Sequence, residues 1–152
     1  MLIILLLYGL LFPPAVSSTE KHIEEKGHDL LGTVWRLESF EAIGQEIEII
    51  QDGRIYSINF GRDTVAHIRA DCNWCNGKYR ILMHENLIAW GLMGCSEVGC
   101  GPASFGDRFT RALWNISGFT VFGDLLQVYY DGNTRILNMR AQKKPQRSRP
   151  IR

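Results

Sequence analysis

Hydrophobic and polar residues alternate along much of the chain with a period of two. In the segment 55–60, Tyr56, Ile58 and Phe60 fall on one side of an extended chain and polar residues fall on the other. Such alternation is typical of a β-strand with one buried and one solvated face. The same pattern predicts further strands at 34–40, 64–70, 78–82, 86–92, 125–130 and 134–140.

Short polar segments mark the turns between several of these strands. The segments GRD (61–63) and DGN (131–133) combine glycine with residues that favour tight turns, and HEN (84–86) separates two apolar runs. Turns of this kind connect neighbouring strands as hairpins. We therefore expect the strands to be mostly antiparallel.

One segment departs from this alternation. Between residues 104 and 118, four apolar side chains recur at helical spacing: Phe105, Phe109, Leu113 and Ile116. Ser104 and Asp107 resemble a capping box at the start, and Gly118 is a typical helix stop. We therefore expect one amphipathic helix over about 104–117. The predicted fold class is α+β, a β-rich single domain in which mostly antiparallel strands pack on this helix.

The beginning of the chain predicts export. Its first twelve residues are almost wholly apolar, which is too short for a membrane span, and Ala15 and Ser17 form an A-x-S cleavage pattern. We predict a cleaved signal peptide at 1–17, with an uncleaved anchor or a buried helix as alternatives. No cysteine directly follows the apolar run, so a lipoprotein is not expected. A polar lead-in at 18–29 would then precede a domain at 30–141.

Composition and charge narrow the class of partner. The chain has 152 residues, 45% of them hydrophobic and 22% charged, with a net charge of +1, which suits one globular domain. The segment 142–152 is predicted to be a disordered, solvated basic tail, with weak, salt-sensitive contact to anionic lipid or polysaccharide as the alternative. Its cations are Lys143, Lys144, Arg147, Arg149 and Arg152. The rest of the chain is mildly acidic, so no nucleic-acid partner is expected.

Four cysteines admit several chemistries: Cys72, Cys75, Cys95 and Cys100. Four thiolates with this spacing could hold zinc, and a C-x-x-C pair could be redox-active. The C-x-x-C falls between two predicted strands, which is a poor context for a redox motif, and the export signal favours two disulfides. Bridges across the long loop restrict the unfolded chain more than a bridge between neighbours. We expect Cys72–Cys95 and Cys75–Cys100.

Residues around this motif resemble a known family. In CNWCNGKY (72–79), four residues match the pattern C-N-x-x-x-G-x-Y of META domains, the family that includes the heat-shock protein HslJ: Cys72, Asn73, Gly77 and Tyr79. Met93 and Cys95 match the end of a second family motif, and Gly91 stands where that motif has threonine. The resemblance covers about residues 31–141. Cys75 and Cys100 are additions to the family pattern and suggest a second disulfide.

The resemblance implies an exported, β-rich α+β domain of undefined molecular activity. Family members are linked to heat stress, drug tolerance and, in some parasites, motility and virulence, and they have no established catalytic residues. We therefore expect a secreted or periplasmic, non-catalytic protein without cofactor or metal, whose function is binding or stress-related support of the cell envelope. Its partner would be an envelope protein or a small ligand, and Trp74 is a candidate for the binding surface. Packing of Trp74 against a disulfide is the alternative.

Two other functions stay open on the sequence. A small hydrolase would need His67 or His84 beside a carboxylate or a hydroxyl in a deep pocket. A small-ligand carrier of lipocalin type is suggested by the opening GTVWRL, although Gly32 and Trp35 are spaced differently from the lipocalin pattern and the central helix does not fit it.

Overall fold

The computed structural model describes residues 30–51 and 53–142. The predicted signal peptide, the polar lead-in and the basic tail beyond Gln142 lie outside these residues. In the part that is described, no helix is long and apolar enough to cross a membrane.

The described chain forms nine strands, one α-helix and a short 3-10 turn at Met83–Glu85. The strands before the helix are β1 (Val34–Ala42), β2 (Glu48–Ile49), β3 (Tyr56–Phe60), β4 (Val65–Ala70), β5 (Asn73–Leu82) and β6 (Leu87–Cys95). The helix is α1 (Gly106–Trp114), and the strands after it are β7 (Ile116–Phe122), β8 (Leu125–Tyr130) and β9 (Arg135–Ala141).

These strands form one curled antiparallel sheet in the order β6-β5-β4-β3-β1-β9-β8-β7, with β2 paired to β1. The two ends of the sheet approach each other. The contact between them includes a 2.8 Å hydrogen bond that the Phe119 N–H on β7 donates to the Asn86 carbonyl beside β6. The prediction of a β-rich single domain with antiparallel strands is confirmed.

The alternation seen in the sequence produces the two faces of this sheet. In β3, Tyr56, Ile58 and Phe60 are fully buried, and the residues between them are half-buried on the outer face. The inner face encloses a continuous apolar core. Its largest fully buried side chains are Trp35, Tyr56, Phe40, Phe60, Phe109, Ile58, Ile68, Leu113, Leu126, Leu137, Met139 and Val128. Each such side chain contributes roughly 1.5–3 kcal/mol through burial.

The helix is shorter than the predicted 104–117. It begins at Gly106, whose N–H donates to Ser104 Oγ at 3.1 Å, and no side chain caps it at Phe105. It ends at Trp114, and the next residue, Asn115, caps it by donating its N–H to the carbonyls of Arg111 and Ala112. The capping box with Asp107 is therefore absent from the described contacts. The helix lies beside β3, where the Phe109 and Tyr56 ring centroids are 5.8 Å apart.

The expected stop at Gly118 was wrong, because the chain has already become a strand there. Ile116 and Gly118 belong to β7, which pairs with β8 from Ile116 to Phe122. Ile116 continues the helical spacing from Leu113, so the pattern alone extended the helix too far. Two strands were not predicted from the sequence. The helical spacing hid the start of β7, and β2 has only two residues.

A test of the core compares two phenylalanines of opposite burial. Phe109→Ala should lower the free energy of unfolding by about 3–5 kcal/mol, since Phe109 is fully buried between α1 and the sheet. The matched control is Phe122→Ala, because Phe122 is 73% exposed at the end of β7. Urea unfolding followed by tryptophan fluorescence measures both. Equal losses in the two variants would contradict this assignment of the core.

Candidate functional site

All four cysteines form disulfides, and the bridges are Cys72–Cys100 and Cys75–Cys95. Their Cα atoms lie 5.6 Å and 4.0 Å apart, respectively. The expectation that each cysteine of the C-x-x-C reaches the later pair is confirmed. The expected partners, Cys72–Cys95 and Cys75–Cys100, were wrong.

The antiparallel pairing of β5 with β6 explains the observed bridges. Cys75 lies directly opposite Cys95 in this strand pair. In an antiparallel pair, a residue earlier on one strand meets a residue later on the other. Cys72 precedes Cys75, so its partner must follow Cys95, and that partner is Cys100. The C-x-x-C therefore does not lie between strands as predicted, because β5 begins at Asn73 and contains Cys75.

Asn73 of the family motif holds the segment after β6 in place. Its Oδ1 accepts hydrogen bonds from the Val98 N–H at 2.7 Å and from Ser96 Oγ at 3.0 Å. Its Nδ2 donates to the Val98 carbonyl at 2.9 Å. One amide side chain thus satisfies several groups of the segment that leads to Cys100, which is a structural role.

Gly77 and Met93 of the motifs are fitted to each other on the inner face. They are opposite each other in the β5–β6 pair, and a Cβ on Gly77 would lie 3.0 Å from Met93 Cγ. The sulfur of Met93 also lies 2.9 Å from Trp114 Nε1 on α1. A glycine at position 77 makes room for this methionine under the helix end.

Tyr79 links β5 to β3 and to the turn that follows β3. Its hydroxyl donates a 2.6 Å hydrogen bond to the Gly61 carbonyl, and its ring centroid is 5.1 Å from that of Phe60. Burial raises the pKa of Tyr79 above its usual value, the charge of Asp63 raises it further, and Arg62 partly opposes the shift. Asn73, Gly77 and Tyr79 of the family motif therefore have structural roles in this fold.

Trp74 has a different environment, because it points to the outer face of β5 while Cys75 points inward. It is 58% exposed, and the Arg69 guanidinium carbon lies 5.1 Å from its ring centroid. Its backbone is fixed on the β6 side, since the Trp74 N–H donates to Ser96 Oγ and the Ser96 N–H donates to the Trp74 carbonyl. The exposed ring thus sits on a strand of the sheet with the Arg69 guanidinium over its face.

The strand register aligns polar side chains with Trp74 in rows across the outer face. One row runs Arg36, Ser57, Arg69, Trp74 across β1, β3, β4 and β5. A second row runs Asn59, His67, Asn76, Gly94 across β3 to β6. We call the surface that carries these rows the outer cationic face; it comprises Arg36, Ser57, His67, Arg69, Trp74, Asn76, Lys78 and Arg80.

A groove of about 660 Å³ lies on the other side of the sheet, between α1 and the end of β6. Trp114, Met93 and the Cys75–Cys95 bridge line it, together with Asp107 and Glu97. The inner face of the curled sheet encloses the apolar core, which occupies the place where a lipocalin holds its ligand.

A hydrolase would depend on His67 or His84, and their surroundings in the structure are as different as their positions in the fold. His67 Nδ1 shares a 2.7 Å hydrogen bond with Asn76 Oδ1 on the outer face. His84 is exposed in the 3-10 turn. His22 and His28 lie outside the described residues. Within those residues no three or more His, Cys, Asp or Glu side chains are placed to hold a metal ion.

Comparison with known proteins agrees with these motifs. The family model described as META domain matches residues 28–143. The chain belongs to the META domain family. A search of curated proteins finds no significant match to this META-domain chain.

Solved structures share the fold of this META domain at low sequence identity. A protein from Burkholderia xenovorans, solved by NMR, aligns with a TM-score of 0.64 and 17% identity over 76% of this chain and 85% of its own. A DUF4847 family protein from Bacteroides vulgatus aligns with a TM-score of 0.55 and 12% identity over 76% of this chain and 96% of its own. At these identities the likeness concerns the fold alone.

Paired cysteine variants test the disulfide pairing. Cys72→Ser combined with Cys100→Ser should leave Cys75–Cys95 intact and expose no free thiol to a thiol reagent in denaturant. The stability should fall by about 3 kcal/mol, because a cross-link between residues 28 positions apart is lost. The mismatched double variant, Cys72→Ser with Cys95→Ser, should instead release two thiols. Two free thiols in the first variant and none in the second would support the pairing Cys72–Cys95 and Cys75–Cys100 instead.

The pKa of Tyr79 predicts a dependence of stability on pH. A pKa that is higher in the folded than in the unfolded state gives stability that is complete below about pH 10 and is lost as the pH rises through the folded value. Tyr79→Phe should remove this part of the alkaline loss and cost about 1 kcal/mol at neutral pH, because the hydrogen bond to Gly61 disappears. Urea unfolding from pH 7 to 11 measures both effects.

The control for this titration is Tyr129→Phe on the half-buried outer side of β8. That variant keeps the Tyr79 hydroxyl and should therefore keep the part of the alkaline loss that Tyr79 causes. If Tyr79→Phe also kept it, the loss would have to come from other groups.

Proposed function

We propose that this META-domain protein is exported and acts by binding, without catalysis, cofactor or metal. Two disulfides are typical of proteins in extracellular or periplasmic compartments. The apolar segment at 1–17 supports a cleaved signal peptide, and the chain offers no acceptor cysteine beside it for lipidation. Its partner is a component of the cell envelope, and binding there would support the envelope under stress.

The exposed Trp74 is the single observation that carries the binding proposal. Tryptophan contributes a large contact area and is among the residues that dominate binding energy at interfaces. Here the ring is fixed by an ordered strand and by Arg69, so little conformational entropy remains to be lost on binding.

The groove beside α1 supports a second candidate, a small-ligand carrier. Trp114 and Met93 offer an aromatic and a polarisable wall, and the volume of about 660 Å³ is within the range of ligand pockets. This differs from the lipocalin-like carrier, which would hold its ligand inside the sheet. For the hydrolase alternative there is no comparable support, because His67 bonds to Asn76 and not to a carboxylate or hydroxyl.

Two tryptophans with the same exposure provide a matched test of the binding function. Trp74→Ala should weaken co-sedimentation with envelope fractions by about 30-fold in affinity, as expected for an aromatic hot spot of roughly 2 kcal/mol. Trp114→Ala is the control, since Trp114 is also 58% exposed but lies on α1. Loss of binding only in Trp114→Ala would favour the carrier, and loss in neither would contradict both functions.

A further inference from the structure

We propose that the outer cationic face binds an anionic polysaccharide, a sugar polymer that carries carboxylate or sulfate groups. This rests on the proposed binding function and names the chemistry of its partner. The observations behind it are the distribution of charge, the alignment of side chains across the strands, and the chemistry of the groups around Trp74.

The charged residues of β3, β4, β5 and β6 are all basic, and Glu38, which lies on the outer side of β1 with Arg36, is paired with Arg140. None of the strands β3, β4, β5 and β6 contains an aspartate or a glutamate, although they contain Arg69, Lys78 and Arg80. The last two are exposed. A set of cations without interspersed acids attracts an anionic polymer.

The cations of this face differ in their partners from four arginines elsewhere. Those four form salt bridges with carboxylates, in the pairs Arg54–Asp71, Arg108–Glu48, Arg135–Asp131 and Arg140–Glu38, whereas Arg111 on α1 forms none among the described residues. In the described residues, no carboxylate forms a salt bridge with Arg36, Lys78 or Arg80. Arg69 donates its Nε–H to the Asp71 backbone carbonyl at 3.2 Å, which leaves its charge uncompensated. These cations are therefore available to an external anion.

The length of the rows fits a chain molecule better than a single small anion. Adjacent strands are about 4.8 Å apart, so the row from Arg36 to Trp74 spans roughly 14 Å across four strands. Lys78 and Arg80 extend the face along β5 beyond the second row. A polymer that crosses the strands can thus meet Arg36 at one end of the row, Ser57 and Arg69 along it, and Trp74 at the other end.

The groups around Trp74 match the two surfaces of a sugar ring. A pyranose presents C–H groups on its face, which pack on an exposed aromatic ring, and hydroxyl groups at its rim, which need both donors and acceptors. The exposed side chains of His67 and Asn76 supply both, next to the tryptophan. On the β6 side, Gly94 lies opposite Asn76 with open space where a side chain would stand, so the approach is not blocked.

A single-stranded nucleic acid is the competing polyanion, since it also binds to basic surfaces with aromatic side chains. Two features favour the sugar polymer. The disulfides are typical of an oxidising compartment outside the cytoplasm. Stacking of successive bases also needs several aromatic rings, and on the described outer side of β3 to β5 Trp74 is the aromatic side chain that is exposed.

The experiment measures binding of the full chain to heparin, polygalacturonate, neutral dextran and an oligothymidylate by isothermal titration at two salt concentrations. The unmodified protein should bind the two anionic polysaccharides, more weakly at high salt, and should not bind dextran. Lys78→Gln with Arg80→Gln should reduce the affinity about tenfold or more, and Trp74→Ala should reduce it at both salt concentrations.

The control is Arg111→Gln with Arg135→Gln, which removes two charges from the helix and from β9. Both double variants retain the five cations of the basic tail, so a contribution of the tail is the same in each. Equal loss in both double variants would mean that net charge and not this face drives binding, which overturns the proposal. Tighter binding of the oligothymidylate, lost with the same variants, would assign the face to nucleic acid instead.

The outcome for envelope fractions separates this inference from the function on which it rests. If Trp74→Ala abolishes co-sedimentation while neither polysaccharide binds, the binding function stands and the polysaccharide is wrong. If co-sedimentation does not depend on Trp74 and neither polysaccharide binds, both proposals fail.

Discussion

The antiparallel pairing of β5 with β6 is the constraint on which the rest of the molecule depends. It places Cys75 opposite Cys95 and Gly77 opposite Met93, so covalent bonding and packing agree on one register. A slip by one residue would turn every side chain of the strand to the other face. The bridge, the glycine and the methionine together exclude that slip, and they therefore also determine that Trp74 faces outward.

The period of two was sufficient to predict much of the fold. Strands with strict alternation, such as β3, were located to within one residue, and GRD and DGN marked real hairpins. The start of β5 escaped prediction because its inward residues are Cys75 and Gly77, whereas its large apolar side chain, Trp74, faces solvent. The hydrophobic pattern therefore predicts that the face with Trp74 is buried, or it predicts no strand at this position.

The errors at the site share a physical cause, since each required knowledge of which strands are neighbours. The pairing of the cysteines follows from the register of the β5–β6 hairpin. Loop entropy alone does not distinguish this pairing from the one that we predicted. The rows of the outer cationic face depend on register between strands far apart in sequence, such as Arg36 on β1 and Ser57 on β3. The sequences of the four strands β3, β4, β5 and β6 contain no acidic residue. This matters for binding only because the four strands lie side by side, which the sequence does not show.

The alternation along β5 places two sets of side chains with different roles on one strand. Its odd-numbered positions, from Cys75 to Tyr79, hold the sheet together, and its even-numbered positions, from Trp74 to Arg80, meet solvent. Because the two sets point to opposite faces of the sheet, a substitution in the outward set leaves the bridge and the packing of the inward set in place. Relatives of this domain can therefore keep the same scaffold while presenting different chemistry to different partners.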